Sequence, residues 1–342
     1  MEKRTIVALL EKAAGEYKDG PYALKKTDAG WEATSFEQTR GKARAIAAWL
    51  LEKGYAKNDA AVILSEGSPE WICVEFGLLS AGMVSVPLSI KLLPEEIPFR
   101  VSHSEAKLFA TSRNQLDKVL PALVGAKLSP SLIYLDDDAQ ALDAACAKYG
   151  FPRDKVSFLS AIVAEGEKIL PVRAAELDRV AEGITEDDVV NICYTSGTTG
   201  DPKGIMLTHR NYWANCHDGV KLFGDIYRFS TLVILPLDHS FAHTVGIYAG
   251  LVSGLALYFV DARGGSMGIL RNIPLNLREV EPKFLMTVPA LSGNFMKKII
   301  SGVEEKGGFI EFLFKAGIKA GIRLNGNGYR KAGLLTRLRL GP

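Results

Sequence analysis

Residues 60–87 read AAVILSEGSPEWICVEFGLLSAGMVSVP, and this stretch indicates the class of fold. The run Ala60–Leu64 is apolar throughout and has the length of a buried β-strand. Ser68–Pro69 is typical of a helix N-cap followed by a first-turn proline, and the apolar helix after it extends to about Ala81. Met83–Pro87 is the next strand. Because two strands joined through a helix run parallel, the sequence predicts an α/β protein with a parallel sheet and flanking helices.

Helix and strand signals continue to alternate along the chain. Ser35–Gln38 has the S-x-x-Q form of a capping box and begins an amphipathic helix that ends near Gly54. Further predicted strands are Lys107–Thr111, Leu132–Leu135, Val189–Tyr194, Thr231–Leu237, Leu255–Val260 and Phe284–Val288. The pattern loosens over residues 136–188, so we place a change of subdomain there. The expected domains are residues 1–185, a first α/β subdomain with a connecting segment, and residues 186–342, a second and truncated α/β subdomain stacked on it.

Composition restricts the class of protein. The 342 residues are 47% hydrophobic and 23% charged, which is ordinary for a globular protein with a sizeable core. The four cysteines lie far apart without the spacing of a metal site, and this favours reduced thiols in a cytosolic protein. The N-terminus lacks the pattern of a secretion signal.

Two segments bear on membrane binding. Residues 244–260, TVGIYAGLVSGLALYFV, are uncharged, but three glycines interrupt them and a spanning helix needs about 20 residues. We therefore predict a buried helix that stops at Gly254, followed by a buried strand. From Lys283 onward there are eleven Lys or Arg and three Asp or Glu, a local charge of +8. This basic stretch either is a solvated helix face or attaches the protein peripherally to an anionic membrane.

The densest polar segment is residues 194–204, YTSGTTGDPKG, which follow an apolar strand. Glycines let backbone N–H groups turn toward an anion, hydroxyls add donors, and lysine adds a positive charge, so the segment predicts a phosphate-binding loop. It is not a P-loop, because Pro202 and Gly204 occupy the places of the second glycine and of the metal-binding hydroxyl. Moreover, the residues that follow predict a strand, with a helix only after Thr208. The glycine pattern of a dinucleotide-binding fold is also absent.

The same loop resembles the signature loop of the adenylate-forming superfamily, which includes acyl-CoA synthetases, luciferases and peptide-synthetase adenylation domains. SPEW (68–71), VSVPLS (84–89), LTHRN (207–211) and LPLDHSF (235–241) are similar to other elements of that family, most of all its long-chain fatty acid–CoA ligases. In PKFLMTVPA, Ala290 stands where the family usually has arginine. The resemblance covers nearly the whole chain. It implies the large N-terminal domain of these enzymes, with the C-terminal part and the lid domain missing.

The resemblance also implies a two-step reaction. A carboxylic acid attacks the α-phosphate of Mg-ATP to give acyl-AMP, and coenzyme A then displaces AMP. The resemblance to long-chain fatty acid–CoA ligases implies that the acid is a long-chain fatty acid. The residues that this implies for ATP binding are Thr195, Ser196, Gly197, Thr198, Thr199, Gly200 and Lys203. Thr195 would also be a ligand of Mg²⁺, usually partnered by a glutamate that we do not find in the sequence.

On the acyl side, the resemblance implies that His239 lies beside the acid and that Phe241 flanks an acyl tunnel. Lys203 and His239 are therefore the candidate catalytic residues, although a histidine after a strand is also often structural. Residues 246–251 form either the wall of this tunnel or ordinary core. The periodicity of the sequence does not distinguish these two alternatives.

Three functions remain open on the sequence. The first is a fatty acid–CoA ligase, the second an acyl-AMP ligase that loads a carrier protein, and the third a non-catalytic nucleotide- or acyl-binding module. The family's Y-G-x-T-E element is absent from the sequence, and the tripeptide T-G-D occurs only at residues 199–201, within the phosphate loop itself. We therefore expect an incomplete chain that does not complete the reaction by itself. The expected partners are ATP, a fatty acid and coenzyme A, without nucleic acid, in the cytoplasm or at a membrane surface.

Overall fold

The computed structural model describes residues 3–195, 201–224 and 226–325. Within this part of the chain the strands are β1 (Pro21–Thr27), β2 (Gly30–Ser35), β3 (Ala60–Leu64), β4 (Val84–Pro87), β5 (Leu108–Thr111), β6 (Ser131–Tyr134), β7 (Val156–Phe158), β8 (Val189–Thr195), β9 (Lys203–Thr208), β10 (Ser230–Val233) and β11 (Ala256–Phe259). The helices are α1 (Ile6–Tyr17), α2 (Phe36–Glu52), α3 (Pro69–Ser80), α4 (Ile97–His103), α5 (Leu116–Gly125), α6 (Ala139–Tyr149), α7 (Leu159–Gly183), α8 (His209–Phe223), α9 (Ser240–Ala242), α10 (Ala249–Ser253), α11 (Gly265–Val280), α12 (Pro289–Glu304) and α13 (Gly308–Asn325). A π-helical turn, His243–Tyr248, joins α9 to α10.

Strands β3 to β9 form a seven-stranded sheet in the order β7-β6-β5-β3-β4-β8-β9. All neighbours in it are parallel except β8 and β9, which are antiparallel. The predicted strand–helix–strand unit of residues 60–87 is confirmed as β3, α3 and β4, with Ala60 beside Val84. The fold class is therefore α/β, as the sequence predicts.

A second sheet has four strands in the order β10-β11-β1-β2. Strand β1 pairs antiparallel with its neighbour β2 and parallel with the distant β11, where Ala23 lies beside Leu257. The sequence predicts neither β1 nor β2. Each sheet takes strands from both sides of residue 185, and the subdomain boundary placed there stays a prediction. The structure itself divides into the compact units Met1–Met286 and Thr287–Pro342.

Alternating side chains of the seven-stranded sheet enter two hydrophobic cores. On β3, Ala61 and Ile63 belong to one core, whereas Val62 and Leu64 belong to the other. The first core also contains residues of α1, α2, α3 and the four-stranded sheet, and the second contains residues of α4, α5 and α6. The sheet is thus covered by helices on both faces, as expected for parallel strands.

Local signals for helix ends are confirmed where the sequence is most specific. The Ser35 hydroxyl accepts a hydrogen bond from Gln38 N, and the side-chain oxygen of Gln38 accepts one from Ser35 N. Together these two bonds form the predicted capping box. Gly254 ends α10 at φ +68°, in the left-handed region that glycine adopts without strain. The uncharged segment 244–260 is accordingly a buried helical run followed by buried β11.

Two sequence predictions differ from the structure, and one long element was not predicted. Residues 284–288 are not a strand: Phe284 N donates to Ser230 O of β10 at 3.2 Å, but no ladder continues along the described residues. The strand predicted over Thr231–Leu237 ends at Val233. In the loose region 136–188, the structure has the 25-residue helix α7. Pro171 inside it obscures the helical pattern, because proline ordinarily disrupts a helix interior.

The smaller unit, in its described part, consists of helices α12 and α13. Val288 is the N-cap of α12 and Pro289 is its first residue. Several large apolar side chains of α13 are exposed, among them Phe309 at 75% and Phe312 at 66%.

Candidate functional site

The predicted phosphate loop joins two antiparallel strands. Strand β8 ends at Thr195 and β9 begins at Lys203, and these two residues are partners in the strand register. Both are exposed at the end of the hairpin. A P-loop runs from a strand into a helix, so the exclusion made from the sequence is confirmed. The predicted residues Ser196, Gly197, Thr198, Thr199 and Gly200 lie outside the described residues.

The hairpin is fixed to the sheet through β8. Asn191 on this strand pairs in parallel register with Ser85 of β4, and its buried side-chain carbonyl accepts a hydrogen bond of 3.0 Å from the Tyr212 hydroxyl. Tyr212 belongs to α8, the helix that directly follows β9. Because the strand and the helix after the hairpin are held together, the two ends of the loop, Thr195 and Lys203, have fixed positions.

His239 lies in the turn after β10 and is the N-cap of α9. Its Nδ1 accepts a hydrogen bond of 3.1 Å from Phe241 N. An imidazole nitrogen that accepts carries no proton, so in the neutral ring the proton resides on Nε2. The side chain is exposed, and so is Phe241 at 42%. His239 therefore presents an N–H donor to solvent, a group suited to an anionic ligand.

The structure brings the His239 turn close to strand β8. Burial raises the pKa of the Cys193 thiol to about 12, while the Tyr212 hydroxyl and the Ser240 backbone N–H, which face it, pull in the opposite direction. Cys193 is two residues before Thr195, and Ser240 directly follows His239. The turn that carries His239 thus lies near the end of β8 that carries Thr195, although the two are far apart in sequence. The Cys193 thiol itself stays protonated at neutral pH and is not a nucleophile.

An apolar cleft lies beside this region, between α8 and the helical run 243–253. It is lined by Cys216, Val220 and Phe223 of α8 together with Val245 and Phe284. Of the predicted tunnel wall, residues 246–251, only Ala249 lines it among the described residues, and Ile247, Tyr248 and Leu251 belong to the core. The cleft volume is about 10 Å³, no more than one water molecule occupies. An acyl chain would enter only after side chains move.

A much larger cavity, of about 1000 Å³, lies at the carboxyl ends of β3, β5, β6 and β11. Neither Thr195, Lys203 nor His239 lines it. Its charges are largely satisfied internally: Lys25 pairs with Glu70, and Arg263 pairs with Asp261.

Within the same cavity, the buried Glu66 accepts hydrogen bonds of 2.6 Å from both Ser112 and Gln115. The cavity therefore has no excess positive charge with which to bind a triphosphate. Sequence reasoning missed it, although Ser65-Glu66 directly follows β3 and Asp136-Asp137 comes one residue after β6.

The described residues do not by themselves form a metal site. Among them there is no group of three or more His, Cys, Asp or Glu side chains arranged to hold a metal ion. Thr195 offers one neutral hydroxyl, whereas Mg²⁺ is usually held by one or two carboxylates together with phosphates and water. The assignment of Thr195 to Mg²⁺ stays a prediction. In the same part of the chain, no helix combines the length and apolarity needed to cross a bilayer.

A family model described as "AMP-binding enzyme" matches residues 10–308 of the chain. The chain belongs to this family. The AMP-binding enzymes it resembles include long chain acyl-CoA synthetase 6, peroxisomal, of Arabidopsis thaliana, 29% identical over 289 residues, which are 82% of this chain and 38% of that protein. Long-chain-fatty-acid–CoA ligase 5 of Mus musculus is 26% identical over 317 residues, 87% of this chain and 42% of the relative.

Among solved structures, the fold is similar to the adenylation domain of a carboxylate reductase from Mycobacterium chelonae. The TM-score is 0.72 at 19% identity, over 95% of this chain and 52% of that one. The likeness confirms the predicted fold, that of the N-terminal domain of adenylate-forming enzymes. The chain spans about two-fifths of the length of the two ligases above.

Proposed function

We propose that this chain carries the acid-activating site of an ATP-dependent acid–thiol ligase of the AMP-forming type. The observation that carries the proposal is the β8–β9 hairpin, which places Lys203 opposite Thr195 at the two ends of a loop rich in glycine and hydroxyl groups. The His239 turn near β8 adds an N–H donor. A cation, backbone donors and a neutral donor in one region suit a triphosphate beside a carboxylate.

The first half-reaction follows from these groups. A carboxylate oxygen attacks the α-phosphorus of ATP, the bond to the bridging oxygen breaks, and pyrophosphate leaves with its electron pair. Little covalent chemistry falls to the protein, so catalysis consists of positioning and of stabilising charge. Lys203 and the loop residues 196–200 hold the β- and γ-phosphates and stabilise the departing pyrophosphate. His239 donates from Nε2 to the acid and orients it toward phosphorus.

The second half-reaction transfers the acyl group to a thiol and releases AMP. We propose coenzyme A as the acceptor and a long-chain fatty acid as the substrate, because both relatives described above are named for this chemistry. The apolar cleft beside Val245 supports an acyl substrate, provided that α8 and the helical run 243–253 separate to admit it. The role of Mg²⁺, with Thr195 as its candidate ligand beside ATP, stays a prediction. Cytoplasmic or membrane-peripheral location stays a prediction.

The phosphate half of the proposal is tested by calorimetric titration of the 342-residue chain with ATP, in competition with inorganic tripolyphosphate or AMP. We expect tripolyphosphate to displace ATP, and AMP to displace it poorly, because the contacts proposed for Lys203 and the loop are to the β- and γ-phosphates. The absence of ATP binding, or displacement by AMP at equal concentration, would contradict the assignment of the loop.

The acid half is tested with a non-hydrolysable acyl-adenylate analogue that has a long acyl chain. His239→Asn keeps an acceptor for Phe241 N but loses the Nε2 donor, whereas His239→Ala loses both. We expect both variants to bind the analogue about tenfold more weakly, at unchanged ATP affinity, since a hydrogen bond to a charged or strongly polar group contributes roughly 1.5 kcal/mol. Equal loss of ATP and analogue binding, together with a lower Tm, would identify His239 as a structural residue only.

A further inference from the structure

Behind the His239 turn lies a fully buried group of titratable side chains. Glu75 of α3 and His243 and Tyr248 of the π-helical turn are each 0% exposed. The Tyr248 hydroxyl donates to Glu75 Oε1 at 2.7 Å, and His243 Nε2 lies 3.6 Å from the same oxygen. The rings of Trp71, Tyr212 and Tyr248 surround His243 at centroid distances of 5.5 to 5.9 Å. Glu75 Oε2 has no hydrogen-bond partner among the described residues.

The two nitrogens of His243 face different partners. Nδ1 lies 3.4 Å from the backbone oxygen of His239, and a carbonyl only accepts, so Nδ1 is the donor in this contact. On the other edge of the ring, Nε2 lies 3.6 Å from Glu75 Oε1, longer than a hydrogen bond, and Nε2 has no hydrogen-bond partner among the described residues. The buried imidazole therefore lies between the Glu75 carboxyl group and the backbone of His239.

Three donors converge on the carbonyl of His239. The backbone N–H groups of Ala242 and His243 donate to it at 2.9 and 3.3 Å, as in the first turn of a helix. The third donor is the side chain of His243, at 3.4 Å. This side-chain contact fixes the peptide plane of His239 from the buried side, while Phe241 N fixes its ring from the exposed side. The orientation of the exposed ring is thereby tied to a carboxylate in the core.

We propose that Glu75 and His243 are positioning residues, which hold the His239 imidazole with Nε2–H directed at the acid to be activated. The proposal rests on the proposed function of His239 as the donor to the acid. Two features favour it over a purely structural role. Buried polar pairs are often no more stabilising than apolar side chains of the same volume, so stability alone does not require this one. His243 is also the first residue of a π-helical turn, a feature frequent at functional sites.

The test uses paired variants of the 342-residue chain. Both His243→Asn and His243→Leu lose the contact to Glu75. His243→Asn retains a side-chain N–H near the position of Nδ1, and this amide is a donor without help from Glu75, whereas an imidazole donates from Nδ1 only in one tautomer. His243→Leu has no donor. His217→Leu is the matched control, because His217 Nδ1 makes the same type of contact, 2.8 Å to the backbone oxygen of Trp213 four residues earlier. Glu75→Gln keeps the shape of the buried side chain and removes its charge.

The primary readout is the tautomer of His239, from ring-nitrogen NMR spectra of a chain with five histidines. We expect the Nε2–H tautomer in the parent, His243→Asn and His217→Leu, and a mixture of tautomers in His243→Leu. The secondary readout is binding of the acyl-adenylate analogue. We expect it to weaken by about ten- to a hundredfold in His243→Leu and by less than about threefold in His243→Asn, at unchanged ATP affinity, since small displacements of a positioned group have effects of this size.

A folded His243→Leu variant whose His239 tautomer and analogue affinity equal those of the parent overturns the proposal. If His243→Leu does not fold, Glu75→Gln decides in its place: an altered His239 tautomer supports the proposal, and an unchanged one overturns it. Because the tautomer is measured without ligand, it separates the two ideas. Failure of the parent to bind the analogue refutes the proposed function but leaves the positioning of the ring to be read from the spectra.

Discussion

Protonation of one buried histidine is expected to make this protein sensitive to acid. His209, the first residue of α8, is 2% exposed, and its Nδ1 accepts a hydrogen bond of 3.1 Å from Ile6 N at the start of α1. Burial lowers the pKa of its imidazole to about 4, with Lys3 and Lys57 acting in the same direction and Asp188 opposing them. Protonation would convert the acceptor Nδ1 into a donor that faces the Ile6 N–H, so the contact between α1 and α8 would be lost.

The size of the effect follows from the two pKa values. In the unfolded chain the imidazole titrates near its ordinary pKa of about 6.5, so between that value and about 4 the unfolded state binds a proton that the folded state does not. Stability contributed by the neutral ring is therefore complete above about pH 6.5 and is lost as the pH falls toward the folded pKa. Between about pH 7.5 and about pH 4.5 the loss amounts to about 2.5 kcal/mol in the free energy of unfolding.

The assay is urea unfolding of the parent and of His209→Asn at several pH values across this range. Asparagine keeps an oxygen near the position of Nδ1 to accept from Ile6 N, but it does not titrate. The variant starts from a lower stability because it leaves a small cavity, and only its change with pH is compared with that of the parent. We expect the parent to lose about 2.5 kcal/mol more than the variant. Parallel pH profiles would refute the reasoning, because the carboxyl groups that titrate in this range are common to both proteins.

Two further predictions concern the phosphate loop and helix packing. Lys203→Met should weaken ATP binding, measured by calorimetry, about ten- to a hundredfold, because a charged contact contributes roughly 1.5–3 kcal/mol. The control Lys148→Met makes the same change of charge on α6, the helix that precedes β7 at the opposite edge of the sheet, and should leave the ATP affinity unchanged. Gly166→Ala should lower the free energy of unfolding in urea by about 1–3 kcal/mol, because a Cβ there overlaps the backbone carbonyl of Ala45. Gly41→Ala in α2 should raise it by about 0.5–1 kcal/mol, because a Cβ there has open space. Equal ATP affinities in the first pair, or equal shifts in the second, would contradict these contacts.

Much of the fold could be predicted because its signals are local. The strand–helix–strand unit of residues 60–87 is encoded by apolar runs with the lengths of a strand and a helix, and Ser68 caps α3 by accepting from Trp71 N at 3.1 Å. The capping box at Ser35 and the left-handed Gly254 likewise depend on residues within one or two turns of themselves. Such interactions form between neighbours in the chain, and sequence patterns therefore report them directly.

Predictions that depended on distant partners were less successful. An apolar run such as residues 284–288 has the composition of a strand, but whether it joins a sheet depends on a ladder with another segment. Strand β1 has the converse property: its pattern is weak, and it becomes a strand by pairing with β11, more than two hundred residues away. Helix α7 was missed because Pro171 interrupts its pattern, whereas its packing against α2 compensates for the lost hydrogen bond.

In the candidate site, the residue types along the chain specify which donors and acceptors are present, whereas packing between distant segments arranges them. Composition and order along 194–204 specify donors, hydroxyls and a lysine after a buried strand, and LPLDHSF specifies a histidine after another. That Ser240 faces Cys193, and that a buried carboxylate on α3 lies next to His243, follows from packing between segments far apart in the chain. The physical reason is that residue type fixes what a side chain can donate or accept, whereas its partner is set by long-range burial, which no local pattern encodes.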